Sequence, residues 1–152
     1  MLDKGYLKSF LEEKGIEFEI IEHGASYRAD QASRELGIDI KKIVKSVLFM
    51  NENKEPILII VRGDKRVDQG KMAKALGFKK LRLATPQELT EITGYEPGTL
   101  PPVAHKSQIR TLIDEDVLAE DFVYAGGGSL GASLKISPKD IVKLQNAVPV
   151  KI

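Results

Sequence analysis

Two apolar runs, Val44–Met50 and Ile57–Arg62, stand on either side of a five-residue polar turn, Asn51-Glu52-Asn53-Lys54-Glu55. Each run has strand length and is rich in β-branched and large apolar residues. A connection this short can only return the chain antiparallel, because a parallel crossover needs about a dozen residues or more. An antiparallel ribbon therefore sits at the heart of the chain.

The flanking sequence alternates short helices with short strands. Asp3 can cap a helix through about Glu13, stopped by Gly15, and Phe18–Glu22 reads as a strand ending at His23-Gly24. A helix from about Ala29 to Leu36 is closed by Gly37, and Val67 to Leu76 is amphipathic before Gly77. Leu81–Leu83, Arg110–Ile113, Phe122–Ala125 and Ala132–Ile136 read as strands, and Val148–Val150 as an edge strand. Thr85-Pro86-Gln87-Glu88 is a capping box, and Ser137-Pro138-Lys139-Asp140 repeats its logic for a last helix. The expectation is α/β: one domain over residues 1–152, with a mixed, strongly curved, barrel-like sheet flanked by short helices. At 152 residues such a domain buries about 68–70% of its unfolded surface and needs no staples.

Lys45 interrupts the first of the two central runs. Burying a cation is costly unless an anion or strong acceptor meets it. By period two, Val47 and Phe49 share its face, while Val44, Ser46, Leu48 and Met50 take the other. Two readings fit: a strand-end lysine whose stem covers apolar surface, or a lysine in an apolar-lined pocket. About fifty residues on comes Gly94-Tyr95-Glu96-Pro97-Gly98-Thr99-Leu100-Pro101-Pro102. A turn this dense in Gly and Pro fixes backbone N–H and C=O groups where a ligand can reach them. Lys45 and this turn together suggest a pocket with one positive charge and a rigid backbone wall. Gly126-Gly127-Gly128-Ser129-Leu130-Gly131 is either a plain hairpin turn or a rim of that pocket. His23, before the loop Gly24-Ala25-Ser26-Tyr27, is more readily a packed or surface histidine than a catalyst, and His105 has no neighbour that suggests a role.

Charge is unevenly spread. Residues 41–82 hold twelve Lys and Arg against four Asp and Glu, whereas 83–122 hold two against eight. The basic block, with Lys41, Lys42, Arg62, Lys65 and Arg66, fits an anionic partner, nucleic acid or phosphate-bearing, and equally fits a solvated face balanced by the acidic segments.

Several chemistries drop out. The glycine run matches a dinucleotide-binding G-x-G-x-x-G, but leads into a strand where that motif needs a helix. It also matches a nucleophile elbow at Ser129, but no histidine follows His105 to complete a triad. Asp114-Glu115-Asp116 reads as an acidic helix start rather than a metal site. With no cysteine there is no thiolate nucleophile, disulfide or zinc cluster, so neither metal nor cofactor is expected. No apolar run reaches the roughly 18 residues of a membrane span, and the N-terminus lacks a signal pattern. A cytoplasmic protein with no membrane and no DNA partner is the expectation.

In order and spacing, from about residue 10 to 148, these pieces resemble the YbaK/EbsC type of aminoacyl-tRNA deacylase, the module also found as the editing insertion of bacterial prolyl-tRNA synthetases. Glu22-His23, the helix Ala32 to Gly37, the lysine strand Ile43–Phe49, the Gly94–Pro102 turn, and Gly126–Ser129 through Asp140 carry the likeness. The resemblance implies that Lys45 helps hold the substrate's aminoacyl end. It also implies that a G-x-x-x-P loop, here Gly98-Thr99-Leu100-Pro101-Pro102, shapes the amino-acid pocket. Lys45 and Gly98 become the catalytic candidates. His23, Tyr27, Thr99, Leu100, Pro101, Pro102, Gly127, Gly128 and Ser129 become the substrate-binding ones, and Lys41, Lys42, Arg62, Lys65 and Arg66 bind tRNA. Many relatives continue Pro-Phe-Gly or Pro-Leu-Gly after the loop, whereas this chain has Pro102-Val103-Ala104-His105. The implied activity is trans-editing: hydrolysis of a mischarged aminoacyl-tRNA carrying a small residue such as Ala, Cys, Ser or Thr, with a synthetase as a further partner. The alternative is a non-catalytic module that binds a tRNA or nucleotide end for a synthetase.

Overall fold

The computed structural model describes residues 1–24 and 29–152, and of 29–32 the backbone alone. In chain order its elements are α1 (Lys4–Glu13), β1 (Phe18–Glu22), α2 (Ala29–Leu36), a 3-10 turn (Ile40–Lys42), β2 (Val44–Asn51), β3 (Pro56–Arg62), α3 (Gln69–Leu76), β4 (Leu81–Leu83), α4 (Pro86–Thr93), β5 (Arg110–Asp114), α5 (Glu115–Leu118), β6 (Val123–Gly126), β7 (Ala132–Ile136), α6 (Pro138–Gln145) and β8 (Val148–Val150).

The central ribbon forms as the short turn demands. β2 and β3 pair antiparallel, with Lys45 opposite Val61 and Phe49 opposite Ile57. β4 adds antiparallel to β2, β5 parallel to β3, and β8 parallel to β5, giving a mixed sheet in the order β4-β2-β3-β5-β8. β1, β7 and β6 make a second, antiparallel sheet of three strands. The mixed α/β architecture is as expected; the strongly curved, barrel-like sheet is not. Neither sheet closes; among the described residues one isolated bridge, between Ile43 and Tyr124, links them beside the core they share. Closure would need every edge strand to find a partner. β4 has only three residues, and β8 carries Pro149, which has no N–H to extend a ladder.

Both faces of the ribbon are buried, which is why its strands read as almost continuous apolar runs. Val44, Leu48, Leu58 and Ile60 pack with Leu7 and Leu11 of α1, with Tyr95, Leu100, Val103 and Ala104, and with Leu134 and Ile136 of β7. The alternate residues Phe49, Ile57, Ile59 and Val61 pack with Met72 and Ala73 of α3, Leu81 and Leu112.

Helix starts follow their caps. Asp3 accepts the Tyr6 amide, and Asp68 accepts that of Lys71, so α3 begins at Gln69 rather than Val67. Asp114 caps α5, making the acidic trio a helix start. The capping expected at Ser137 does not form, because the Asp140 amide it would satisfy turns to the Ser137 carbonyl at 3.1 Å. The box at Thr85 and Glu88 is complete, and Arg82 grips the same carboxylate at 2.8 and 3.0 Å. The Arg82 hydrogen bonds, then the Thr85 amide, hold the Glu88 carboxyl down at about 2. A carboxyl lowered in the folded state stabilises above its ordinary value of 4.5, and that contribution is lost as pH falls toward 2. An NMR titration should show Glu88 still ionised at pH 3, and Glu88→Gln should flatten the acid limb of stability over this window.

Candidate functional site

Three segments far apart in sequence meet at one end of the molecule. Gly94 closes α4 in the left-handed region, and the chain then turns sharply at Glu96–Thr99. The Thr99 amide and hydroxyl both donate to the Glu96 carbonyl, at 3.2 and 2.8 Å, while Gly98 sits at the exposed tip with φ +86°. Thr99, Leu100, Pro101 and Pro102 are buried. Behind them the fully buried Tyr95 donates its hydroxyl to the Ala104 carbonyl at 2.9 Å. Its burial raises the phenol well above its ordinary value. His105 donates from Nε2 to the Pro101 carbonyl at 2.7 Å. Burial takes this imidazole down to about 4, partly offset by that hydrogen bond, so the ring is neutral at neutral pH.

The glycine turn lies directly on this loop. A Cβ at Gly126 would stand 2.2 Å from the Leu100 oxygen, and the Gly128 amide donates to the Thr99 carbonyl at 2.9 Å. Gly127 presses on the backbone of Ala132 and Gly128 on that of Asp3 and Lys4. The Ser129 hydroxyl accepts the Lys4 amide at 3.0 Å, and the Leu2 amide donates to the Gly94 carbonyl at 2.8 Å. The missing side chains thus admit other backbone of the same chain, and Ser129 is engaged by the start of α1. His23 joins at the foot of the turn. Its amide donates to the Gly131 carbonyl at 2.7 Å, its Nε2 lies 2.7 Å from Ser133 Oγ, and its Nδ1 3.3 Å from Glu35 Oε2. Tyr27 lies outside the described residues.

Lys45 is placed differently. It is half-buried on β2, on the face of Val47 and Phe49, whereas Leu100, Val103 and Ala104 of the loop pack on the opposite face of the ribbon. Among the described residues its ammonium has no hydrogen bond or ion pair. Desolvation first, and then the nearby Arg66, lower its pKa, with Asp64 opposing. The next residue, Ser46, has a buried hydroxyl without a partner among the described residues.

The basic residues divide into two groups. Lys42 is tied to Glu120 and Asp121 with its ammonium 4.2 Å above the Phe122 ring, Arg62 to Asp64, and Lys65 to Asp116 and the fully buried Asp114. Lys41 and Arg66 are exposed and carry no ion pair among the described residues. A cavity of about 500 Å³ between β1, β7 and the start of α6, lined by Phe18, Phe122, Lys135 and Asp140 among others, includes none of the candidate site residues. The sequence did not reveal the His105 hydrogen bond or the burial of the Ser46 hydroxyl. His105 meets a backbone carbonyl, which leaves no mark in a residue pattern; Ser46 is legible only as a polar residue on an apolar face.

A family model described as "Aminoacyl-tRNA editing domain" matches residues 23–144, which include Lys45, the 98–102 loop and the glycine turn. Among curated proteins, the chain is 27% identical over 118 residues to "Putative Cys-tRNA(Pro)/Cys-tRNA(Cys) deacylase EbsC" of Enterococcus faecalis, covering 78% of this chain and 72% of that one. It is 36% identical over 102 residues to a proline–tRNA ligase of Stenotrophomonas maltophilia, covering 65% of this chain but 18% of the ligase. Among solved structures, "Crystal structure of a putative trans-editing enzyme for prolyl tRNA synthetase" superposes with a TM-score of 0.87 at 34% identity, covering 97% of this chain and 94% of that one.

Proposed function

Because the chain belongs to the aminoacyl-tRNA editing domain family, we propose that it is a deacylase that clears mischarged aminoacyl-tRNA in trans, with a small amino acid such as Ala, Cys, Ser or Thr as the group released. The observation that carries this reading is Lys45, a partly desolvated cation inside the family-matched region that has no ion pair among the described residues.

The chemistry asks little of the protein. The ester between an amino acid and the terminal ribose is activated. Water adds to its carbonyl carbon, the carbon–oxygen bond to the ribose breaks, and the ribose oxygen takes a proton. What a site must supply is a fixed carbonyl, an admitted water and stabilisation of the developing negative charge. The Lys45 ammonium, which among the described residues is bonded to no carboxylate and feels Asp64 only at a distance, supplies charge at the aminoacyl end. The loop packs on the other face of the ribbon, so a substrate that uses both must reach around the strand end: there Gly98 offers exposed backbone at the tip of a turn pinned by Thr99, with the buried Leu100-Pro101-Pro102 segment as a stiff wall against a small side chain. Gly127, Gly128 and Ser129 support that wall from behind, and His23 anchors the turn that carries them.

The acceptor strand would first meet the cations without an ion pair among the described residues, Lys41, Lys45 and the Arg66 that acts on it, while Lys42, Arg62 and Lys65 are already partly neutralised. Three phosphate contacts to single-stranded RNA give a slope of log affinity against log salt of about −2. Binding of an uncharged tRNA across a salt series should show this slope; a slope near −4 would mean that the carboxylate-paired cations also engage. A synthetase that delivers or receives the tRNA is the further partner.

The direct test is a panel of aminoacyl-tRNAs, each matched or mismatched, incubated with the wild-type protein. At least one mismatched species should lose its amino acid well above the spontaneous rate. If none does, the deacylase reading is wrong.

A further inference from the structure

His105 is a half-buried titratable side chain beside the loop, and ester hydrolysis as described makes no use of it. Its Nδ1 is buried and has no partner among the described residues, while its Nε2 donates to the Pro101 carbonyl at 2.7 Å. An apolar side chain of similar volume would avoid the cost of an unpaired buried nitrogen. The hydrogen bond to Pro101 is thus the one polar gain the ring makes among the described residues for that cost.

The loop needs such a tie. Its first half is held by Thr99, through Glu96 on one side and Gly128 on the other. Its second half, Pro101-Pro102, has no backbone N–H to give, so it can be held only through its carbonyls. Just beyond, Ala104 is forced to φ +68°, a region that non-glycine residues seldom occupy, and its carbonyl is caught by the Tyr95 hydroxyl. The Tyr95 and His105 rings meet edge to face, 6.3 Å between centroids and at 90°. The two side chains together make a frame around a proline segment that cannot brace itself.

We propose that His105 is a positioning residue that fixes the wall of the amino-acid pocket by holding the Pro101 carbonyl, and so helps to set which acyl groups the site admits; this rests on the deacylase reading above. The amide nitrogen of a glutamine can take the place of Nε2, whereas an asparagine falls short of it and a leucine fills the space without a donor.

The test compares His105→Gln, His105→Asn and His105→Leu with wild type. The measurements are single-turnover deacylation of small and larger aminoacyl-tRNAs, KM for the tRNA, and hydrogen exchange of the Thr99 amide. The Gln variant should stay within about threefold of wild type. The Asn and Leu variants should lose about tenfold or more in kcat with KM little changed, and their preference for small over larger acyl groups should shrink. Thr99 exchange should quicken in the Asn and Leu variants and not in Gln. A Leu variant with wild-type rate, preference and exchange overturns the proposal, as does a Gln variant that falls with the other two. If wild type deacylates nothing, the functional reading fails on its own, and the exchange pattern still decides whether His105 holds the loop.

Discussion

Lys45→Ala is expected to cut deacylation about 100-fold while leaving the fold intact, the scale seen when one group facing developing charge is removed. β2 is held by backbone pairing to β3 and β4, which alanine preserves. Asp64, the carboxylate that attracts the Lys45 ammonium, stays paired with Arg62, so removal of the ammonium strands no buried charge, and it relieves the repulsion from Arg66. Stability should therefore hold or rise slightly. Single-turnover rates, set beside thermal unfolding of the same preparations, separate the two effects. A rate within threefold of wild type would show that the lysine is a strand-end residue whose stem merely covers the face of Val47 and Phe49, the other reading its sequence context allows.

The largest expected loss of stability is at Gly126. An added Cβ would lie 2.2 Å from the Leu100 oxygen, 2.8 Å from its carbonyl carbon and 3.2 Å from the Thr99 oxygen, all of them backbone. Backbone cannot swing aside as a lysine or glutamate tip can. The Thr99 carbonyl is held by the Gly128 amide, and Leu100 is packed in the core shared by both sheets. Gly126→Ala must push apart the glycine turn and the loop, at a cost of about 3 kcal/mol or more. Urea unfolding should show the midpoint drop with an unchanged slope. A variant within 0.5 kcal/mol of wild type would mean that the two backbones are not in contact in solution.

Most elements were legible because each is specified locally. The polar turn between two apolar runs gave the β2–β3 hairpin, glycines marked the ends of α2, α3 and α4, and the Thr85–Glu88 box marked a helix start. What was not legible depends on distant pairing. Nothing in Arg110–Asp114 says that it lies parallel to β3, and nothing local tells a closed barrel from two open sheets joined at Ile43 and Tyr124. The candidate site divides in the same way. Its pieces are visible as a lone lysine, a Gly/Pro loop and a glycine run. That the glycine run rests on the loop, while Lys45 departs from the other face of the ribbon, follows from packing that no residue pattern encodes. Lys65 shows the converse: it reads as part of a basic patch, and the fold spends it on the buried Asp114.

The junction of Lys4 with Ser129 joins residues 125 positions apart. Closing so long a stretch of chain is entropically expensive, whereas the β2–β3 hairpin closes over five residues. The end of the molecule that carries the candidate loop and glycine turn should accordingly assemble late, after the ribbon that supports it. Substitutions in the glycine turn should then act mainly by hastening unfolding, with refolding rates little altered.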